Sequence, residues 1–171
     1  MSTEEIIEPT YIEIICEVRL NPTENREFIE KIMSSFLEGE IREDKRFDGL
    51  YLIIRNSSMA GLQKLGDWIR QFKLLDTVRR RLRKSITGNI TAIYFNRQAA
   101  AMGKLSLVDV DDNPPLGYIA YQIVSDGLEF IIDQFTPKTY DGHEISAEEF
   151  KRRKQEKREE ILHRKNRKEA K

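Results

Sequence analysis

Apolar residues follow two different periods along roughly the first 137 positions of the chain and then thin out. Tyr11 to Leu20 (YIEIICEVRL) sets β-branched residues against charges at Glu13, Glu17 and Arg19, a period of two that predicts a strand. Asn21-Pro22-Thr23-Glu24 then predicts a helix start, with Asn21 as the cap, Pro22 at the first helical position and Glu24 reaching back as in a capping box. Phe28, Ile29, Ile32, Met33, Phe36 and Leu37 follow at helical spacing, and Gly39 ends the run.

Further along, Glu40 to Arg46 predicts a charged strand, Asp48-Gly49 a turn, and Leu50 to Arg55 a more central strand. Ser57 or Ser58 is placed to cap a helix with Leu62, Leu65, Ile69 and Phe72 inward. A second helix is predicted from Asp76, with Leu75, Val78, Leu82 and Ile86 on its inner face and Gly88 as its stop. Strands are predicted at 89–95, 105–110 and 116–124, with a short helical turn at 99–102. Leu128, Ile131, Ile132 and Phe135 recur at i, i+3, i+4 and i+7, a helix closed by Pro137. Residues 139–145 read as a loop, after which Ser146 caps a long charged helix reaching about Lys168, with Glu149 in the capping-box position.

The order β-α-β-β-α-α-β-β-β-α predicts an α+β fold, a two-layer sandwich of a mostly antiparallel sheet with helices on one face. The expected organisation is a disordered N-terminus at 1–10, one α+β domain at 11–145, and a charged, helical C-terminal tail at 146–171.

Composition sharpens this. The hydrophobic share is 39% and the charged share 34%, which places part of the chain outside the core. Net charge is zero, yet residues 144–171 hold 11 Lys/Arg against 7 Asp/Glu, so the tail is basic and the body acidic. A nucleic-acid site must then be a local patch or the tail. Cys16 is the single cysteine, which excludes an internal disulfide and predicts a reducing, cytoplasmic setting. No apolar run approaches the ~20 residues that span a bilayer, so no membrane partner is expected.

Little of the chain invites catalysis. Asp109, Asp111, Asp112 and Asn113 resemble the opening of a calcium loop, but Pro114 stands where glycine is needed and Ala120 where glutamate is needed. His143 and His163 have no cysteine or second histidine at ligand spacing, and no phosphate-binding glycine loop occurs. No catalytic residue, metal or cofactor is therefore expected.

Five segments carry a family resemblance: EVRLNPTE at 17–24, LDTVRRRLRKSITGN at 75–89, NRQAAAMGKLSLVD at 96–109, PPLG at 114–117 and TPKTYDG at 136–142. In order and spacing they resemble an archaeal group, uncharacterised protein family 0201, which belongs to a wider set described as RNA-binding. The resemblance covers about residues 11–145. It implies a ribosomal-protein-like fold, similar to the protein that binds 5S rRNA, together with a homodimer and no enzymatic activity. Some relatives are fused to a P-loop kinase-like domain, which implies a link to nucleotide metabolism.

The sharpest charge cluster is Arg79, Arg80, Arg81, Arg83 and Lys84, five cations within six residues of the predicted second helix. Guanidinium groups grip phosphates bidentately, and a helix lines several of them up along one groove. A solvated face with cations at a helix C-terminus is the competing reading. Arg97 and Lys104 flank the small-residue run Ala99–Ala101 and are the candidate contacts of that segment. The expected function is RNA-backbone binding through Arg79, Arg80, Arg83, Lys84, Arg97 and Lys104, with the tail assisting. The alternative is a protein–protein module, an accessory of a nucleotide kinase-like protein or of a ribonucleoprotein.

Overall fold

A computed structural model of the chain describes residues 8–112 and 114–169. Their contacts cluster into two units that meet in sequence between Thr136 and Pro137. The expected disorder of residues 1–10 lies outside the described residues as far as position 7. Thr10, by contrast, is held: its amide donates to Asp126 Oδ1 at 2.9 Å, and its hydroxyl bonds Asp126 Oδ2.

The first unit is built on a five-stranded, wholly antiparallel sheet. Its strands are β1 (Ile12–Leu20), β2 (Ile41–Arg46), β3 (Gly49–Asn56), β4 (Ile90–Asn96) and β5 (Tyr118–Ser125), in the spatial order β2-β3-β1-β5-β4. Cys16 sits opposite Ile54 on one side and Tyr121 on the other, which centres β1. Because side chains alternate across a strand, Ile14, Cys16 and Val18 point to one face and are buried, while Glu13, Glu17 and Arg19 point to the other.

The buried face is covered by α1 (Arg26–Phe36), α2 (Gln63–Gln71), α3 (Leu75–Lys84) and α5 (Leu128–Phe135). Ile29, Met33, Phe36, Leu65, Ile69, Val78, Leu82, Ile131 and Ile132 join Ile14, Cys16, Leu52, Ile54, Ile93, Phe95 and Tyr121 in one cluster. Phe36 touches both Trp68 and Phe95 at centroid distances of 5.1 and 5.2 Å, tying α1 to α2 and to the sheet. The α+β reading with helices on one face therefore holds, and α5 has the bounds its periodicity predicts.

Two local expectations are corrected, and a third, the short helical turn, is met with shifted bounds. The first helix starts at Arg26 with Asn25 as its cap, its Oδ1 accepting from Phe28 N at 3.3 Å, rather than at Asn21-Pro22. Residues 21–24 form a turn instead, because Glu24 uses one carboxylate oxygen on Asn21 N (2.8 Å) and the other on Arg97 (2.7 Å). The strand expected at 105–110 shrinks to a bridge between Leu107 and Phe95. Its hydrogen bonds to β4 end where Val108 O is taken by Arg81, and a 3-10 turn at Val110–Asp112 follows. Ala99–Met102 becomes α4 (Arg97–Ala101), capped by Asn96 Oδ1, which accepts from Ala99 N at 2.9 Å. Asn113, the last residue of the calcium-like run, lies outside the described residues.

In the second unit the expected loop holds a two-residue hairpin, β6 (Thr139–Tyr140) and β7 (His143–Glu144). Its turn is Asp141-Gly142, with φ values of 50° and 79°, the left-handed pair that an Asp-Gly turn supplies. α6 (Ala147–Glu169) follows, and Ser146 caps it by accepting from Glu149 N at 3.1 Å. Glu149–Arg153 and Glu160–Arg164 pair along its exposed surface, and Arg152 pairs forward with Glu156.

Candidate nucleic-acid interface

α3 forms because Leu75, Val78 and Leu82 recur at helical spacing, and Asp76 in its first turn and cations in its last suit the helix dipole. Its C-terminus is pinned to β4 by side chains. Thr91 Oγ1 donates to Leu82 O at 2.6 Å, and Ser85 Oγ sits 2.8 Å from Ala92 O while accepting from Ala92 N. The last turn of α3 therefore has a fixed position beside the outer edge of the sheet.

The five cations of this helix do not act as one patch. Arg79 is buried, donates to Thr136 O at 2.8 Å and pairs with Asp133. Arg81 spans to the chain beyond β4, donating to Val108 O at 3.1 Å and pairing with Asp109 at 3.0 Å. Arg83 pairs with Glu129 at 2.7 Å on the surface. Arg80 and Lys84, four residues apart, are exposed, and no acidic side chain among the described residues pairs with either.

Arg97 is likewise internal, at 5% exposure. Its guanidinium donates to Arg19 O at 3.0 Å and Leu116 O at 2.5 Å, and pairs with Glu24 at 2.7 Å. Arg79 and Arg97 thus leave the ligand-facing set, because their donors are already spent on carbonyls and carboxylates. Lys104 is exposed beyond α4, away from the α3 pair in sequence and element, so the structure brings together Arg80, Arg83 and Lys84 but not Arg97.

A cleft of about 260 Å³ opens between the end of α3 and the outer edge of β4. It is lined by Arg81, Lys84 and Ser85 at the end of α3, by Ala92, Ile93 and Tyr94 of β4, and by Val108 and Asp109 beyond it. Sequence reasoning missed it, since its walls come from segments that sequence spacing alone does not juxtapose. Tyr94 meets Tyr118 edge-on at 4.9 Å and 75°, on the sheet face that no element of residues 8–136 covers. Burial, with Tyr118 and Glu17 nearby, pushes the Tyr94 phenol up from its ordinary value, so it stays a neutral donor. Among the described residues no group of three or more His, Cys, Asp or Glu is placed to hold a metal ion.

No family model matches the sequence. The chain is 33% identical to a UPF0201 protein of Sulfurisphaera tokodaii over 130 residues, which span 75% of this chain and 90% of that protein. It belongs to the UPF0201 family. A UPF0201 protein of Sulfolobus acidocaldarius matches at the same identity and coverage. Among solved structures, the UPF0201 protein from Methanococcus jannaschii superposes with a TM-score of 0.67 at 24% identity, covering 78% of this chain and 99% of that one. A second UPF0201 crystal structure gives 0.62 at 21% identity. These likenesses establish the fold.

Side chains tie together the segments that carry the UPF0201 resemblance in this chain. EVRLNPTE supplies Arg19 O and Glu24, NRQAAAMGKLSLVD supplies Arg97, and PPLG supplies Leu116 O. The α3 segment and TPKTYDG meet in the same way through Arg79 and Thr136 O. Two buried arginines are the ties between them. No helix among the described residues is long and apolar enough to cross a membrane.

Proposed function

We propose that this UPF0201 protein binds RNA by its phosphate backbone, with Arg80 and Lys84 as the principal contacts and no catalytic step. The observation that carries the reading is that these two cations stand one turn apart on the outer face of α3 without an acidic partner among the described residues. Arg83 adjoins them in a surface pair with Glu129, the kind worth only about 0–1 kcal/mol, which a phosphate competes for readily. The ribosomal-protein-like fold implied by the family resemblance supports the same reading, and the basic tail adds sequence-independent attraction. Lys104 is a peripheral contact in this scheme.

The test is fluorescence anisotropy of a labelled single-stranded RNA across a salt series. The log–log slope should be about −0.7 per phosphate contact, so Arg80→Glu with Lys84→Glu should flatten it by about 1.4. Absence of salt-dependent binding, or an unchanged slope in the double variant, would overturn the proposal.

A second reading is favoured by the sheet face opposite the helices of residues 8–136, where Ile15 and Ile53 are each only 9% exposed. Ile15 and Ile53 lie at its centre, beside Tyr51, with Arg46 stacked 4.1 Å over that ring and paired to Glu17, and with Glu13 paired to Arg55. An apolar centre ringed by ion pairs suits a protein partner, a second copy included. Analytical ultracentrifugation with Ile53→Glu tests it: a dimer that dissociates in the variant supports this reading, and a monomeric wild type removes the homodimer from it.

A further inference from the structure

The charges of α6 are sorted onto opposite faces. At 3.6 residues per turn, Lys151, Lys154, Arg158 and Lys165 fall within an arc of about 60° and form one stripe down the helix. Between Ala147 and Arg167 the acidic residues, from Glu148 to Glu160, share an arc of about 120° on the far side. Most of them are matched there: Glu149 pairs with Arg153, Glu156 with Arg152 and Glu160 with Arg164, while Glu159 accepts from Gln155. The four stripe cations are exposed, and none pairs with an acid among the described residues. Lys154 instead has Lys151 three residues before it and Arg158 four after it, like-charge neighbours that weaken a helix. A sequence that only kept this helix soluble would set each cation four residues after a glutamate, as it does for Arg153 and Arg164.

We infer that this stripe is a second RNA contact, laid along the phosphate backbone, and that the acidic face of α6 stays in solvent. The inference rests on the backbone-binding reading above and deepens it, by assigning the tail's contribution to four side chains rather than to its net charge. Like charges lined up without partners call for a counter-charge that is itself linear. From Lys151 to Lys165 the line runs about 21 Å at 1.5 Å per residue, and a nucleic-acid strand carries a negative charge at every nucleotide over such a distance. The neighbours of the stripe disfavour other anionic partners. Ile161 and Leu162 flank it on separate sides, 49% and 60% exposed. Phe150 is taken up within its own unit, where Lys138 sits 4.7 Å over its ring. Two apolar side chains split by a row of cations make neither a continuous seam for a partner helix nor an apolar face to sink into an anionic bilayer. Along RNA the lysines act as point charges and Arg158 can fork onto one phosphate, with no sequence read.

The experiment compares the full chain with two charge-matched variants on the same labelled single-stranded RNA over a salt series. Lys154→Gln with Arg158→Gln and Lys165→Gln empties most of the stripe. Arg152→Gln with Arg164→Gln and Arg167→Gln removes as many cations from the rest of the helix. Glutamine keeps a high helix propensity, and circular dichroism verifies the helix in both. The stripe variant should flatten the log–log slope by about 2.1, or about 0.7 for each lost phosphate contact, whereas the control should change it by less than about 0.7. A stripe variant whose slope falls no further than the control's would mean that the tail acts by net charge alone. That result overturns the stripe and leaves the α3 reading standing, which Arg80→Glu with Lys84→Glu tests alongside. A wild type that binds polyglutamate as tightly as the RNA, with the same loss in the stripe variant, would overturn the RNA assignment and give the stripe to an acidic protein. A wild type that binds no RNA would overturn both readings.

Discussion

Arg97 and Glu24 form an ion pair 2.7 Å long between side chains that are 5% and 17% exposed. The pair joins α4 to the turn before α1, and the same guanidinium holds the carbonyls of Arg19 and Leu116 at the ends of β1 and before β5. Three points of the chain, Glu24, Arg19 O and Leu116 O, converge on this one side chain, and each loses a donor if it is removed.

Arg97→Met should therefore destabilise the fold by about 3–5 kcal/mol, the cost of leaving a half-buried carboxylate without its ionic partner and two carbonyls without this donor. Arg97→Lys should recover little of this, because a single ammonium does not reproduce the guanidinium fork. Urea unfolding midpoints measure both. A loss under about 1 kcal/mol for Arg97→Met would show that the corner is held by other contacts.

How far this corner was legible in the sequence depends on the residue. The alternation in YIEIICEVRL and the i, i+3, i+4, i+7 run at Leu128–Phe135 led directly to β1 and α5, because each element buries one face and leaves the other polar. Arg79 had a readable signal too. It follows Leu75 by four residues and precedes Leu82 by three, so the helical period puts it on the inner face with Leu75, Val78 and Leu82, all of which are buried. Its charge placed it among the expected RNA contacts instead. Arg97 had no such signal, since its partners lie 73 and 78 residues earlier and 19 later. The helix start at Asn21 failed for a different reason: Glu24 does reach back to Asn21 N at 2.8 Å, but residues 21–24 close a turn through Glu24 N and Asn21 O, and the helix begins only after Asn25, whose side chain caps it.

Tyr121 supplies a contrasting prediction. Its hydroxyl is buried and has no hydrogen-bond partner among the described residues, and burial pushes the phenol far above its ordinary range. Removing a buried polar atom that bonds to nothing relieves a desolvation cost. Tyr121→Phe should thus leave stability unchanged or raise it by about 1 kcal/mol, by thermal or urea unfolding. Thr91→Val, which deletes the hydroxyl bonded to Leu82 O at 2.6 Å, should lower it. A marked loss in Tyr121→Phe would mean the hydroxyl has a partner in solution.

Cys16, opposite Tyr121 on the central strand, is fully buried, and desolvation followed by the charge of Glu17 pushes its thiol well above its ordinary range. Only the thiolate attacks a disulfide reagent. The folded protein should not react with Ellman's reagent at neutral pH and should release one equivalent on unfolding in guanidinium, since Cys16 is the single cysteine. Rapid labelling of native protein would sink the idea that this strand stays closed.

At the N-terminal edge, Asp126 is held below its ordinary carboxylate value, chiefly by the Thr10 hydroxyl and then by the amides of Thr10 and Tyr11. A depressed folded-state value means the tie is fully present above the unfolded value, about 3.9, and is lost as pH falls through the folded one. Amide exchange at Thr10 should stay slow near neutrality and accelerate in that acidic window, beyond the intrinsic pH dependence, before the core opens. Asp126→Asn should remove the transition. Exchange that shows no such step would detach Asp126 from the anchoring of this segment.

The C-terminal helix gives the last prediction. Every member of the core cluster, from Ile14 to Phe135, belongs to the first unit. α6 has exposed side chains along nearly its whole length, and its surface pairs such as Glu149–Arg153 and Glu160–Arg164 are worth about 0.2–0.5 kcal/mol each, to the helix itself. Ending the chain after Thr136 should therefore shift the unfolding free energy of the remaining body by less than about 1 kcal/mol. Thr136 must be kept, because its carbonyl holds Arg79 and its hydroxyl donates to Ile132 O at 2.8 Å. The truncated chain should still bind RNA, with a shallower salt slope, because the tail contributes cations while Arg80 and Lys84 remain on α3. If truncation abolishes binding while the body remains folded, the tail rather than α3 is the interface.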